Sequence, residues 1–361
     1  VKVVIFGLTI SSAWANGHAT LWRGLCRALH AAGHDVVFFE RDVPYYAQHR
    51  DMSGTDWCRL VLYRLWPEIV AAARQELADA DVGIVTSYCP DGPAASRAVL
   101  DSAIPRKVYY DLDSPVTLAC LSRGERVAYL PEEGLGAFDL VLSYAGGAAL
   151  EGLKQHLGAR LVAPLYGSAD PDVHRPVAAS ALYRNDLSYL GTYAGDRQDA
   201  LDELFVVPAR RQPHRTFALA GSQYPRDFPW TTNMLYFRHL APPEHAPLFC
   251  SSSWTLSVTR GAMASVGYCP SGRLFEATAC GAPVITDSWE GLGHFFEAGS
   301  EIVIARDSGD VLDALEMPER DRRRIASAGR ARTLECHTSA ARARELERLL
   351  EPSWHGYAEV G

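Results

Sequence analysis

No apolar run in this 361-residue chain approaches the ~18 residues needed to span a bilayer. Its opening stretch from Val1 reads as a strand and carries no basic and apolar leader, so a cytoplasmic location without stable membrane association is expected. Organised cysteine is also lacking: the eight residues at 26, 58, 89, 120, 250, 269, 280 and 336 form no C-x-x-C pair and no His/Cys ligand spacing. Neither a disulfide framework nor a structural zinc site is therefore indicated, and the thiols read as small buried hydrophobes. Positive charge is in deficit, with 35 Lys+Arg against 43 Asp+Glu and a formal charge of −8. A nucleic acid or an anionic membrane surface is therefore not an expected partner, and any phosphate site has to be local. Repeats and low-complexity segments are absent, and 48% hydrophobic with 22% charged residues leaves no case for disorder.

What is present is alternation. Short β-rich runs at 3–6, 36–39, 82–86, 107–110, 140–143 and 160–163 separate helical patterns near 18–32, 55–79, 92–101, 115–122 and 146–157. This predicts a parallel sheet covered by helices on both faces. Residues 164–176 carry three prolines and a glycine without period, as a connection between domains would. The alternation then resumes, with strands predicted at 187–190, 216–219, 234–237, 255–258, 284–286 and 302–304. The expected class is α/β, with two Rossmann-like domains facing a cleft. Residues 1–170 and 171–340 form the domains, and a C-terminal helix and tail over 341–361 is expected to pack back on the first. The basic stretch 320–332 interleaves with alanines and reads as a solvated helix.

The most informative segment is Ser271-Gly-Arg-Leu-Phe-Glu-Ala-Thr-Ala-Cys-Gly281 with the buried run 282–286 after it. Ser271 suits an N-cap and Gly272 keeps the backbone uncluttered, so the first amides of a helix from 272 to about 280 would face an anion. Arg273 brings a planar fork of donors matched to phosphate oxygens, and Glu276, one turn on, brings an acceptor for the two hydroxyls of a ribose. Gly281 fits the left-handed stop after the helix. The competing reading is a surface ion pair between Arg273 and Glu276.

Further candidates stand at predicted strand ends. Gly191 and Arg197 follow the strand at 187–190 as a second phosphate clamp, unless Arg197 only reaches solvent. Arg260 ends the strand at 255–258, where it meets phosphates, sugar or an interdomain carboxylate. Gly221 either lets a nucleotide approach the backbone or makes a turn. His18 follows Gly17 at a helix N-terminus, whose dipole favours a neutral ring able to accept a proton; the alternative is a capping histidine, or one packed on Trp22. Asp111 and Asp113 close a strand of the first domain and are candidates to orient or deprotonate a hydroxyl, although Asp113-Ser-Pro115 is also an ordinary helix entry. Trp14, Tyr45, Tyr46 and Trp57 offer faces for a sugar or planar group, or simply pack.

These residues together resemble a GT-B glycosyltransferase, and more closely the CgeB-like, spore-maturation type. The resemblance rests on Phe6-Gly-Leu-Thr9 with Gly17-His-Ala19, Tyr110-Asp-Leu-Asp-Ser-Pro115 and Leu165-Tyr-Gly-Ser-Ala-Asp-Pro-Asp-Val-His174. It continues through Tyr189-Leu-Gly-Thr-Tyr193, Leu256-Ser-Val-Thr-Arg260, Arg273-Leu-Phe-Glu-Ala277 and Gly291-Leu292, covering nearly the whole chain. It implies a metal-independent enzyme without cofactor that binds a nucleoside diphosphate sugar, of UDP or dTDP type, mainly in its second domain. The acceptor, a small molecule or glycan, would lie mainly on the first. Related retaining enzymes carry an E-x7-E pattern whose second glutamate falls on Glu276; Tyr268 occupies the place of the first, so inverting and retaining chemistry both stay open. Because transfer passes through an oxocarbenium-like state, the departing diphosphate has to be stabilised, a task that suits the 271 helix start and Arg273. Other readings are a GT-B-fold epimerase, a nucleotide-sugar-binding protein without turnover, and a nicotinamide-dependent oxidoreductase. Gly7 and Gly17 make no G-x-G-x-x-G, which argues against the last. A homodimer is left open.

Overall fold

Alternate residues of the first strands are apolar on both faces, the mark of strands buried between two helical layers. The computed structural model describes residues 1–351, 353 and 354. It divides them into two compact units, one of Val1–Tyr166 together with the chain from Arg342, the other of Gly167–Ala341.

The first unit is built on β1 (Lys2–Gly7), β2 (Asp35–Arg41), β3 (Arg59–Tyr63), β4 (Val82–Thr86), β5 (Arg106–Asp111), β6 (Leu140–Ser143) and β7 (Val162–Pro164). They pair in parallel in the order β3-β2-β1-β4-β5-β6-β7, with Val4 opposite Val37 on one side and Gly83 on the other. Val4, Phe6, Val37, Phe39 and Tyr109 are buried on one face of the sheet. Val3, Ile5, Val36, Phe38 and Val108 are buried on the other. The helix Ser339–Leu350 adds Ala343, Leu346 and Leu349 to that second face, and its Glu347 meets His34 at 2.7 Å. A leucine buried this fully contributes roughly 1.5–3 kcal/mol, enough to tether the C-terminal helix here.

The second unit carries β8 (Asn185–Leu190), β9 (Phe217–Ala220), β10 (Met234–Phe237), β11 (Ser252–Ser257), β12 (Val284–Thr286) and β13 (Val303–Ile304). These are parallel in the order β10-β9-β8-β11-β12-β13. Tyr189, Phe205, Phe217, Leu219, Trp254 and Leu256 fill its core.

One element departs from the sequence expectation. Residues 55–79 do not form one helix: β3 comes first, and a helix over Trp66–Ala78 follows. Arg59-Leu-Val-Leu-Tyr63 is short and bordered by Pro67, and its register against Val37 to Arg41 of β2 extends the sheet to an edge. Pairing with a neighbouring strand decided a segment whose periodicity alone is ambiguous. The stop at Gly281 is as expected, with φ +74°, as is that at Gly33, with φ +87°.

Candidate functional site

In open parallel sheets, ligands bind beyond the carboxyl ends of the strands, where successive connections leave in opposite directions. In the second unit that point lies between β8 and β11, which are neighbours although three strands apart in number. The loops leaving it are knitted together. Arg260 pairs with Asp196 at 3.2 Å, the Thr259 amide and hydroxyl both donate to Asp287 Oδ1 at 3.0 Å, and the Tyr193 amide donates to Ser222 O at 2.9 Å.

The helix Gly272–Ala279 packs against β11 and β12 of the same sheet. Ser271 occupies the N-cap position in extended conformation, as expected, and its side chain makes no capping bond. Arg273 and Glu276 do pair, through Nη1 and Oε2, yet not as a surface ion pair: Glu276 is only 4% exposed. Two histidines from distant segments complete the cluster. His174 Nε2, in the connection after β7, and His245 Nδ1, on the helix Pro242–Cys250, each stand 3.8 Å from the same Glu276 oxygen.

The electrostatics follow from burial. Burial pushes the Glu276 carboxyl up, but Arg273, His174 and His245 together pull it further down, to about 2. Burial, then the Arg273 charge, holds His245 at about 3. Its Nδ1 faces Arg273 Nη1 at 3.5 Å and its Nε2 faces Leu240 O at 3.3 Å, consistent with a neutral ring that is protonated on Nε2. Burial also lowers His174, whose two ring nitrogens are buried without a hydrogen-bond partner. Ligand atoms of His174, His245 and Glu276 lie within 4.8 Å of one another, as a metal site requires. A guanidinium already neutralises the shared carboxylate, however, so a divalent ion there would add buried positive charge next to Arg273.

The other candidates of this unit gather nearby with altered roles. Arg197 turns back onto Thr192 O and over the Tyr189 ring at 5.9 Å; burial raises the Tyr189 phenol and the Arg197 charge acts against that. Arg260 meets a carboxylate of its own unit, not one across domains. Gly191 and Gly221 face each other: a Cβ on Gly221 would stand 1.9 Å from Gly191 O. At Gly221 the missing side chain admits the backbone of Gly191. Gly272 is the first residue of its helix. Tyr268 adopts φ +45°, with its amide donating to Glu290 O at 2.7 Å and its ring where a Gly291 side chain would be. Aromatic residues seldom hold that conformation, and the loop leading into the 272 helix is set by it.

In the first unit the switch point lies between β1 and β4. His18 begins the helix His18–Ala31, and its Nε2 stands 3.6 Å from Asp113 Oδ2. The ring lies edge-on to Tyr88 at 5.5 Å, while Trp22 packs on Phe38 and Tyr110 instead. Tyr88 follows β4 with φ +60°, and its ring lies tilted against Tyr129 with centroids 4.8 Å apart. Asp111 is fully buried; burial raises its carboxyl to about 6 against hydrogen bonds from Thr117, the Asp113 amide and Ser87. Of the two candidate carboxylates, Asp111 is the enclosed one, and it accepts the Asp113 amide at 3.1 Å in the turn that leads to Asp113. Glu40, also fully buried, takes the hydroxyl of Thr9, the amides of Ile10 and Ser11 and the hydroxyl of Ser11, holding the β1 loop that leads to His18.

Sequence reasoning missed Tyr88, Glu40, His174 and His245. Only His174 had a visible signal, as a histidine within the proline-rich connection.

Residues 197–348 match a family profile described as glycosyl transferase-like. A search of curated proteins finds no match in sequence. Among solved structures, similar folds include sucrose-phosphate synthase from Thermosynechococcus elongatus, at 14% identity and TM-score 0.67, over 96% of this chain and 98% of that one. Anabaena HepE in complex with UDP and glucose is similar at 14% identity and TM-score 0.65, over 97% and 99%. An alpha-glucosyltransferase in complex with UDP-glucose and DNA is similar at 10% identity and TM-score 0.68, over 97% and 99%. At these identities the likeness is one of fold, and the fold is GT-B: two parallel-sheet α/β units. No described helix is long and apolar enough to cross a membrane.

Proposed function

We propose that the protein is a CgeB-like glycosyltransferase that moves a sugar from a UDP- or dTDP-sugar to a hydroxyl acceptor, without a metal. The observation that carries this reading is that the 272 helix bearing the Arg273–Glu276 pair packs against β11, one of the two strands of the switch point. That pair falls inside the segment that matches a glycosyl transferase-like profile. Several structures of the same fold were solved with UDP or UDP-glucose, which supports the choice of donor.

In this reading the amides of residues 272–274 and the Arg273 fork receive the diphosphate, and Glu276 receives the ribose hydroxyls. Negative charge that gathers on the leaving diphosphate is met by donors already in place. Gly191, Gly221, Arg197, Arg260 and Tyr268 shape the surrounding loops. In the first unit, His18 takes the acceptor proton and Asp113 steadies the imidazolium that forms; a retaining reaction would send the proton to the donor phosphate instead. Thermal shift with UDP, dTDP and their glucose conjugates against NAD tests the donor class, since only a ligand of the folded state raises the midpoint. A response to NAD alone would overturn the proposal.

A second reading, epimerisation of the sugar nucleotide, is favoured by one observation: two histidines and a carboxylate stand together in the donor unit. Product analysis separates the two. Transfer or hydrolysis releases free nucleoside diphosphate, whereas epimerisation leaves the sugar attached.

A further inference from the structure

The Arg273–Glu276 pair has a charge problem that the proposed function makes acute. Arg273 is the nearest neutralising cation of a carboxylate that is 4% exposed, and it is also the residue expected to turn toward a diphosphate. A buried carboxylate deprived of its cation is strongly unfavourable unless another positive charge replaces it. The groups that face it are few. His245 comes from the helix Pro242–Cys250, and His174 from the connection after β7. Cys280 follows the 272 helix, with Cys250 beside its carbonyl at 3.4 Å. Arg330, from the helix Glu319–Cys336, donates to Ala279 O at 3.1 Å and acts on Cys280.

Of these groups only the imidazoles sit on the carboxylate oxygen. His245 keeps Nε2 on Leu240 O throughout, and only its Nδ1 contact with Arg273 is released when that side chain turns away. His174 has both nitrogens buried and unpartnered, with Nε2 aimed at Glu276 from 3.8 Å.

We infer that binding of a nucleoside diphosphate sugar in this unit is coupled to uptake of a proton by His174, which replaces Arg273 as the counter-charge of Glu276. The inference rests on the reading that Arg273 serves the diphosphate. The bond that forms is His174 Nε2–H⁺ to Glu276 Oε2, and the one given up is Arg273 Nη1 to the same oxygen; the proton comes from solvent or buffer. The direction follows from the charges. In the unliganded site burial and Arg273 both disfavour a charged His174 and Glu276 favours it; when Arg273 turns away, burial stays but one of the two opposing influences is gone and the attraction of Glu276 is no longer countered by a guanidinium. The bound state therefore holds the proton more tightly, and affinity rises as pH falls. His174 becomes a positioning residue, keeping Glu276 charged and in place for ribose while Arg273 is elsewhere.

Calorimetry with UDP-glucose and dTDP-glucose in buffers of different ionisation enthalpy tests this. Both ligands carry a doubly esterified diphosphate with no proton to exchange near neutral pH. The expected result is net proton uptake, with Kd tightening toward lower pH by up to about tenfold per unit if a full proton is taken. The uptake should disappear in His174→Gln and in Arg273→Met, while His245→Gln retains it. Circular dichroism establishes that each variant is folded, and a Kd independent of pH in His174→Gln is a readout that a merely structural histidine would not give. Binding by the parent protein without dependence on buffer, or uptake that survives in folded His174→Gln, overturns the inference and leaves the donor assignment standing. No binding of either sugar nucleotide overturns the donor assignment and the inference with it.

Discussion

Arg273→Met keeps a long apolar stem beside Glu276 and deletes only the guanidinium, so it isolates the charge. The Glu276 carboxyl, raised by burial and lowered more by Arg273 and the two histidines, stands at about 2 instead of its ordinary 4.5. At about 1.4 kcal/mol per pH unit, the folded state favours the charged form by roughly 3 kcal/mol. Because the folded value is depressed, that stability is fully present above pH 4.5 and is lost as pH falls toward 2. In the variant the carboxylate stays buried without its cation, and breaking such a pair costs about 3–5 kcal/mol. The pH response should also reverse. Without Arg273 the Glu276–His174 pair takes up a proton as pH falls, so the second unit should be least stable near pH 7 and recover as pH falls toward 5. Urea denaturation at pH 7 and pH 5, followed by tryptophan fluorescence, measures both effects. Adding Glu276→Gln to Arg273→Met should recover most of the loss, because the unpaired charge is gone, and a double-mutant cycle gives the coupling. A loss under about 1 kcal/mol at pH 7 that does not change with pH would refute the reasoning, since the carboxylate would then be solvated rather than held by Arg273.

Three other outcomes are expected. Arg273→Ala and Glu276→Ala should each weaken UDP binding by about 1.5–3 kcal/mol, the range for charged hydrogen bonds, as read by calorimetry; unchanged affinity in both would move the donor site elsewhere. His18→Ala should lower turnover by about a hundredfold or more while donor affinity is kept, with Asp113→Asn lowering it less, in steady-state assays with a working acceptor. Gly221→Ala forces a Cβ to within 1.9 Å of the Gly191 carbonyl oxygen and should lower the thermal midpoint markedly, whereas Gly195→Ala, with nothing within 4 Å, should change it little.

How far the chain could be read without coordinates depends on the range over which each signal acts. The apolar alternation of Lys2–Gly7 and Asp35–Arg41, the left-handed stop at Gly281 and the Arg273–Glu276 spacing are local, and each acts within a few residues. From them the two α/β units and the 272 helix were legible before any coordinates. The β3 segment was not, because a short apolar run takes its state from the strand beside it, and Val37 to Arg41 are far away in sequence.

For the site, composition and spacing named the groups, while folding assigned their environments. Asp111 and Asp113 are nearly equivalent as letters, yet one is fully buried and the other meets His18. His174, His245 and Glu276 lie in three separate segments, and only the packing of the 242 and 272 helices with the connection after β7 sets their nitrogens 3.8 Å from one carboxylate oxygen. Periodicity and capping are short-range, so the α/β architecture and the candidate residues around 271–276 could be read from the chain alone. The tertiary structure alone decided which charges are buried together, because desolvation and Coulomb interaction depend on distance in space and not along the chain.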